Sequence, residues 1–160
     1  MRWRSTVAAT PLGGCTPEVS GVTGVRDGER GPVLVLASCP RFGGVHLVAL
    51  EEIDADGGRG ATVASWEAVG EPVDEPIISI DLADPGDRWH PLQGVAGLDA
   101  GKRYRVLAWN ADQSRRLDDS EFTAADLDRG ALVVSTSADD TAAPVAMTDE
   151  EFRDHSTSAC

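Results

Sequence analysis

A short stretch from Leu98 to Asn110 constrains the fold more than any other part of the sequence. It reads Leu-Asp-Ala-Gly-Lys-Arg-Tyr-Arg-Val-Leu-Ala-Trp-Asn, and Gly101 gives the backbone the freedom to turn a tight corner. After the corner, Tyr104, Val106 and Ala108 occupy alternate positions and therefore share one face of a strand. The pattern predicts a corner that leads into a buried β-strand.

The spacing of Leu98, Gly101, Tyr104, Val106 and Ala108 resembles the tyrosine corner that enters strand F of fibronectin type III and immunoglobulin-like sandwiches. The resemblance implies that the Tyr104 phenol bonds to the backbone a few residues upstream and fixes the corner. The other apolar runs are short and separated by turn signals, with little helical pattern. We therefore expect an all-β fold, an immunoglobulin-like antiparallel β-sandwich of about seven strands, with short helical turns near the C-terminus.

The strands predicted on either side of the corner are bounded by glycine, proline and acidic residues. They are an edge strand around Val19–Val25, then Gly31–Cys39, Val45–Ile53, Ala61–Val69, Ile77–Ile80 and Ala131–Ser135. Arg88–Pro91 and Ala111–Ser120 have the composition of loops. Thr148 and Glu151 have capping-box spacing, which predicts a helix start. Asp119 or Ser120 is predicted to cap a short helical turn that leads to Leu127.

The formal net charge of −13, from 27 acidic and 14 basic residues, limits the partners that the protein can take. The electrostatic field of so negative a protein repels phosphate backbones and anionic lipid headgroups. We therefore expect no nucleic-acid partner and no electrostatic docking to a membrane. The charge also keeps a small domain soluble. No apolar run approaches the ~20 residues that a membrane-spanning helix requires.

The N-terminal segment carries Arg2 and Arg4 and ends in Leu12-Gly13-Gly14-Cys15. This ending resembles the lipobox of bacterial lipoproteins, in which the cysteine is lipidated and becomes the first residue of the mature chain. The apolar stretch before it is shorter than the usual ~7–15 residues, so an unprocessed terminus is the alternative. We expect residues 1–14 to be a leader and residues 15–160 to form one β-sandwich domain with a C-terminal tail.

The chain has three cysteines, Cys15, Cys39 and Cys160. If Cys15 carries lipid, Cys39 and Cys160 remain as a natural disulfide pair that ties the C-terminal tail to a core strand. The alternative is three reduced thiols in a cytoplasmic protein, with Cys39 acting as a small buried apolar residue. An exported chain favours the disulfide.

Short motifs over most of the chain resemble small secreted proteins and lipoproteins of actinobacteria. They are Cys15-Thr16-Pro17, the Gly31–Cys39 strand, the Gly43-Gly44-Val45 turn, and the terminal segment from Glu151-Phe152-Arg153 to Cys160. The resemblance implies a location outside the cytoplasm, either as a lipoprotein on the extracellular side of the membrane or as a secreted protein. It implies no activity.

The three histidines, His46, His90 and His155, have none of the spacings that hold a metal ion. His90 lies in Arg88-Trp89-His90-Pro91, the one place where a ring nitrogen, a cation and a large apolar surface coincide. A hydrolase using His90 requires a nearby serine and carboxylate, and no Gly-x-Ser-x-Gly motif accompanies it. An exposed histidine beside a packed tryptophan is the alternative.

Two acidic segments invite comparison with cation sites. The segment from Asp54 lacks the glycine and the carboxylate that a calcium loop requires at its sixth and twelfth positions, where Arg59 and Ser65 stand. The second segment has no recognisable ligand spacing and is predicted to be a solvated face: Asp118, Asp119, Glu121, Asp126 and Asp128. No glycine-rich loop that could cradle a phosphate precedes a helix, so nucleotide binding has no support. Since none of the histidine, serine or acidic spacings matches a known site either, we expect no catalytic residues, no metal and no cofactor.

The sequence therefore favours a non-enzymatic module, binding or structural, secreted or lipid-anchored at the cell surface. Its partner would be a protein, a peptide or a glycan, and it would touch the membrane only through the lipid anchor. The alternative is an acidic intracellular protein that binds a basic partner, as an immunity protein binds a toxin. A hydrolase using His90 is a more distant alternative. The oxidation state of the cysteines separates the first two.

Overall fold

The computed structural model describes residues 17–94, 97–127, 131–135 and 143–160, and within them the chain forms eleven β-strands and one α-helix. The strands are β1 (Glu18–Gly28), β2 (Gly31–Ser38), β3 (Leu47–Ile53), β4 (Arg59–Ala68), β5 (Ile77–Asp81), β6 (Trp89–Gln93), β7 (Arg103–Trp109), β8 (Arg115–Asp118), β9 (Ser120–Thr123), β10 (Leu132–Val134) and β11 (Val145–Met147). A turn of 3-10 helix, Ala124–Asp126, follows β9, and helix α1 spans Asp149–Ser158.

The strands form one curled, mixed sheet in the order β11-β10-β1-β8-β7-β3-β4-β6. Strand β2 pairs with β1 and with β5, and β9 continues alongside β7. The prediction of a mostly β fold is confirmed. The expected purely antiparallel arrangement is wrong, because β1 and β8 run parallel, with Glu18 opposite Arg115.

Strand β1 lies inside the sheet, so its prediction as an edge strand is wrong. It pairs with β2 along one edge, and with β8 and β10 along the other. Gly21 makes this close approach possible: a Cβ at this position would lie 2.2 Å from the carbonyl oxygen of Ala37, and its φ of +133° suits glycine. The register against β8 shifts between Val19 and Val22, next to this glycine.

The structure also contains strands where loops were predicted. Strand β6 occupies the segment around His90, and β8 with the start of β9 lies in the segment Ala111–Ser120 that was predicted as a loop. The helical turn predicted before Leu127 is present as the 3-10 turn Ala124–Asp126, but its N-cap is Thr123 and not Asp119 or Ser120. These strands are four or five residues long and rich in charged or exposed side chains, so they carry little apolar alternation. Strand β6 pairs with β4, β8 pairs with β1 and β7, and β9 pairs with β7, so each of them becomes a strand by pairing with a longer neighbour.

The main core lies inside the curl of the sheet. Strands β2 and β5 contribute Leu34, Leu36, Ile78 and Ile80 to it, each buried. Strands β3, β4 and β7 contribute Val48, Leu50, Ala64, Trp66, Tyr104, Val106 and Ala108. The predicted buried face of the strand after the corner is therefore confirmed.

A second, smaller core covers the opposite face of β1 and β2. Phe152 of α1, which is 1% exposed, packs there with Val22, Val35 and Leu132. The helix begins as predicted, because Glu151 N donates to Thr148 Oγ1 at 3.2 Å and Thr148 N donates to Glu151 Oε2 at 2.8 Å. Strand β2 is consequently buried on both faces. None of the helices in the described part of the chain has the length and apolar character needed to span a bilayer.

Candidate functional site

The predicted corner residues meet at the start of β7. The backbone N–H of Asp99 donates to Tyr104 Oη at 2.7 Å, and the tyrosine is 2% exposed. Gly101 has a φ of +91°, and Leu98 packs against the main core. These contacts fix the loop before β7 and offer no reactive group.

The structure contains a disulfide between Cys39 and Cys160. The two Cα atoms are 5.4 Å apart, and the residues are separated by 121 positions in the sequence. Cys39 directly follows β2 and Cys160 lies just beyond α1, so the bond holds the end of the helix at the end of the strand. Cys15, the predicted lipidation site, lies outside the described residues, as does the predicted leader.

A groove of about 400 Å³ lies beside this disulfide, between the end of α1 and the strands β2 and β5. Its walls combine hydroxyl groups, prolines and one guanidinium: Ser38, Pro40, Pro76, Ile77, Arg153, Ser156, Thr157 and Cys160. A smaller depression of about 110 Å³ shares Ile77 and Arg153 with it and reaches Ser79 and Phe152. It also contains the ion pair of Arg26 with Asp149, so Arg153 remains as its one unpaired charge among the described residues. The two depressions together follow one side of α1, and we call them the α1 groove.

Arg153 distinguishes the α1 groove electrostatically, since it is exposed and forms no ion pair with any described residue. Most other described basic side chains bind a carboxylate: Arg26 with Asp149, Arg30 with Asp81 and Asp84, Arg59 with Glu51, Arg88 with Glu75, Lys102 with Glu52 and Asp99, Arg103 and Arg105 with Glu121, Arg115 with Glu18, and Arg116 with Asp119. In the described part of the chain, Arg41 in the loop after β2 is the only other arginine or lysine that forms no ion pair with a described carboxylate. A strongly acidic protein thus keeps an uncompensated cation in its groove.

The hydroxyl groups of the α1 groove are already committed as donors. Ser156 Oγ and Thr157 Oγ1 donate to the carbonyl oxygen of Arg153 at 2.8 and 2.9 Å, and Ser38 Oγ donates to the carbonyl oxygen of Glu75 at 3.5 Å. Each oxygen therefore presents lone pairs to a ligand, so these groups can accept hydrogen bonds. The guanidinium of Arg153 is a donor only.

Three loops are hydrogen-bonded to each other, and two of them line the groove through Pro40 and Pro76. Val45 N donates to the carbonyl of Val73 at 2.9 Å, and Val73 N donates to that of Val45 at 2.8 Å. Asn110 Nδ2 donates to the carbonyl of Phe42 at 3.4 Å, which links the loop after β7 to the loop after β2. Gly44, with a φ of +81°, lets the first two loops approach, because a Cβ there would lie 2.8 Å from Pro72 Cβ. The loop end of the sheet is therefore preorganised.

His46 and His90 both lie near Glu67 of β4, whereas His155 is on α1. His46 Nε2 is 3.1 Å from Glu67 Oε1, and His90 on β6 lies directly opposite Glu67 in the sheet register. His90 is exposed and the neighbouring Trp89 is buried. No histidine in the described residues is hydrogen-bonded to a serine hydroxyl, and no group of three potential ligands there could hold a metal ion. Sequence reasoning missed the His46–Glu67 pair, because only strand pairing brings these residues together.

Several acidic side chains near β9 form hydrogen bonds or ion pairs with neighbouring residues. Asp119 Oδ1 accepts from Arg116 at 2.6 Å, and Glu121 accepts from Arg105 at 2.6 Å. Asp126 Oδ2 accepts from the backbone N–H of Thr123 at 2.7 Å. Burial raises the pKa of Asp119 above its ordinary value of 3.8, although Arg116 opposes that shift. Asp118 is exposed, and Asp128 lies outside the described residues.

A scan against protein-family models, a search of curated proteins and a search of solved structures each found no match to this chain. What the protein can bind therefore follows from its own side chains. The α1 groove combines a cation that no described carboxylate pairs with, apolar walls and hydrogen-bond acceptors next to a disulfide. It is the candidate functional site.

Proposed function

We propose that this protein is a non-enzymatic β-sandwich module, secreted or lipid-anchored, that binds a partner at the cell surface. The observation that carries the proposal is the disulfide between Cys39 and Cys160. Structural disulfides persist in oxidising compartments and are rare in the cytoplasm, where thiols are kept reduced. Here the bond also forms one wall of the groove, since Cys160 lines it.

The immunoglobulin-like sandwich is part of this proposal. Strand β1 pairs with β2, and β2 pairs with β5, which supports one layer. Strand β3 pairs with β4 and with β7, which supports a second layer. Apolar residues from both sets share the main core, and the parallel pair of β1 and β8 joins the two layers at one side. The tyrosine corner before β7 fits the same arrangement.

Binding through the loop end and the α1 groove is supported by preorganisation. The loops after β2, β4 and β7 are held by mutual hydrogen bonds, so a partner does not have to order them. The His46–Glu67 pair lies on a surface without a hydrogen-bonded serine among the described residues, which favours a binding role over hydrolysis.

The experiment is an intact mass measurement on the protein recovered from the cells that make it, with and without reduction. We expect a gain of about two hydrogen masses on reduction, because one disulfide is opened. A mature chain that begins at a diacylated Cys15 would identify a lipoprotein, whereas a chain lacking the leader without lipid would identify a secreted protein. Protease added to intact cells should degrade the lipid-anchored form, whereas the secreted form should be recovered from the culture medium.

The alternative is an acidic intracellular protein that binds a basic partner, and the net charge of −13 favours it. It predicts a full-length chain from Met1 with thiols that alkylate without prior reduction. That result would refute the proposal of an exported module.

A further inference from the structure

We propose that the α1 groove binds an extended peptide segment of a partner protein, and that a carboxylate of this peptide pairs with Arg153. The inference rests on the proposed function, because it names the partner class of the binding module. Three features of the groove indicate this ligand: the charge of Arg153, the hydrogen-bond acceptors beside it, and the edge of β5 that pairs with no described strand.

The positive charge of Arg153 favours a carboxylate as the group that binds in the groove. Arg153 lines both depressions of the groove and forms no ion pair among the described residues, in a chain with a net charge of −13. A guanidinium offers a fork of donors that matches the two oxygens of a carboxylate. Arg41, the other described cation without a carboxylate partner, does not line the groove, so Arg153 is the unpaired cation that stands beside apolar walls and hydrogen-bond acceptors.

The other walls of the groove suit a peptide that carries this carboxylate. Pro40, Pro76 and Ile77 form an apolar wall against which an aliphatic side chain can pack. The hydroxyl oxygens of Ser156 and Thr157 can accept hydrogen bonds, which suits the N–H groups of a peptide backbone.

The edge of β5 extends the argument to the conformation of the peptide. In the described residues β5 pairs only with β2. Ser38 N donates to Pro76 O, and Leu82 N donates to Pro32 O, so Ile78 and Ile80 point their backbone groups toward β2. Ile77 and Ser79 therefore direct their N–H and C=O groups to the unpaired edge. A peptide that adds to this edge as a strand places alternate side chains beside the groove.

The test starts with selection of short random peptides displayed on phage against the oxidised, full-length protein. We expect the enriched peptides to share an Asp or Glu next to an aliphatic residue. A synthetic copy of an enriched peptide should shift the amide NMR signals of Ile77, Ser79, Ser156 and Thr157. Its affinity, measured by fluorescence anisotropy, should fall about tenfold or more in Arg153→Gln, because a charge-assisted hydrogen bond is lost.

The matched control is Arg30→Gln, which removes the same charge at the opposite end of β2, where Arg30 pairs with Asp81 and Asp84. It should leave the affinity unchanged. Replacing the peptide's Asp or Glu by its amide should weaken binding to the wild type, with no further loss in Arg153→Gln. Failure to enrich any peptide, enrichment of peptides without carboxylates, or equal affinity for the two variants would overturn the proposal. These outcomes are independent of the mass measurement, so an oxidised, exported protein that binds no acidic peptide refutes this inference alone.

Discussion

The backbone N–H of Asp99 donates to Tyr104 Oη over 2.7 Å, across the corner that leads into β7. The tyrosine ring is buried beside Phe122, with the two ring centroids 5.8 Å apart. The hydroxyl therefore satisfies a backbone donor at the point where the chain enters the core. Strand β7 pairs with β3 along its whole length, so the corner sets the position of a central strand.

Replacing Tyr104 by Phe keeps the ring and removes the acceptor for the Asp99 N–H. We expect a loss of about 1 kcal/mol or more, because the partly buried donor is left without a partner. Urea denaturation followed by tryptophan fluorescence measures the change. Asp99→Ala is the control, since it retains the backbone N–H and should change stability much less. Equal midpoints for Tyr104→Phe and the wild type would contradict a stabilising corner.

Replacing Cys160 by Ser removes the cross-link between the end of α1 and the end of β2. Because the bond spans 121 positions, the chain-entropy account gives a loss of about 4–5 kcal/mol. Chemical denaturation with and without reductant measures it. The reduced wild type should match Cys160→Ser, and the variant should not respond to reductant. A variant as stable as the oxidised wild type would show that the bond contributes nothing to the fold.

Local patterns account for what the sequence could predict. The corner at Gly101 and Tyr104 and the capping box at Thr148 and Glu151 each depend on residues a few positions apart. The pairing of Cys39 with Cys160 was predicted on the condition that Cys15 carries lipid, which leaves these two cysteines to pair. These features need no knowledge of the tertiary structure.

The candidate site could not be predicted in the same way. The groove unites residues near Ser38, Ile77 and Arg153, which only the packing of α1 on the sheet brings together. The same holds for β6 and β8, whose short polar segments become strands because longer neighbours pair with them. A polar segment of four or five residues has no period by which a strand can be recognised.

Replacing Phe152 by Ala tests whether α1 is part of the folded core. The side chain is 1% exposed and packs with Val22 and Val35, so we expect a loss of about 3–5 kcal/mol. The matched control is Val145→Ala on β11, where the side chain is 42% exposed and the change should be small. Hydrogen exchange of the α1 amides should accelerate in Phe152→Ala. Equal stability of the two variants would show that the helix is not packed on the sheet.

The capping box predicts how part of the stability depends on pH. Thr148 donates its backbone N–H and its hydroxyl to the Glu151 carboxylate, and these bonds lower the pKa of Glu151 below its ordinary value of 4.5. A carboxyl whose pKa is lower in the folded state stabilises the fold above its unfolded pKa. That contribution disappears as the pH falls through the folded-state pKa.

Glu151→Gln should therefore be less stable than the wild type at neutral pH, and the difference should shrink as the pH falls below 4.5. Thermal unfolding of both proteins over the acidic range measures this difference. Glu150→Gln is the control: Glu150 is exposed and lies in the same turn of α1, so it reports the general effect of removing one charge there. If Glu151→Gln stays less stable than the wild type at the lowest pH, the loss of stability comes from the changed side chain itself and not from the removal of its charge.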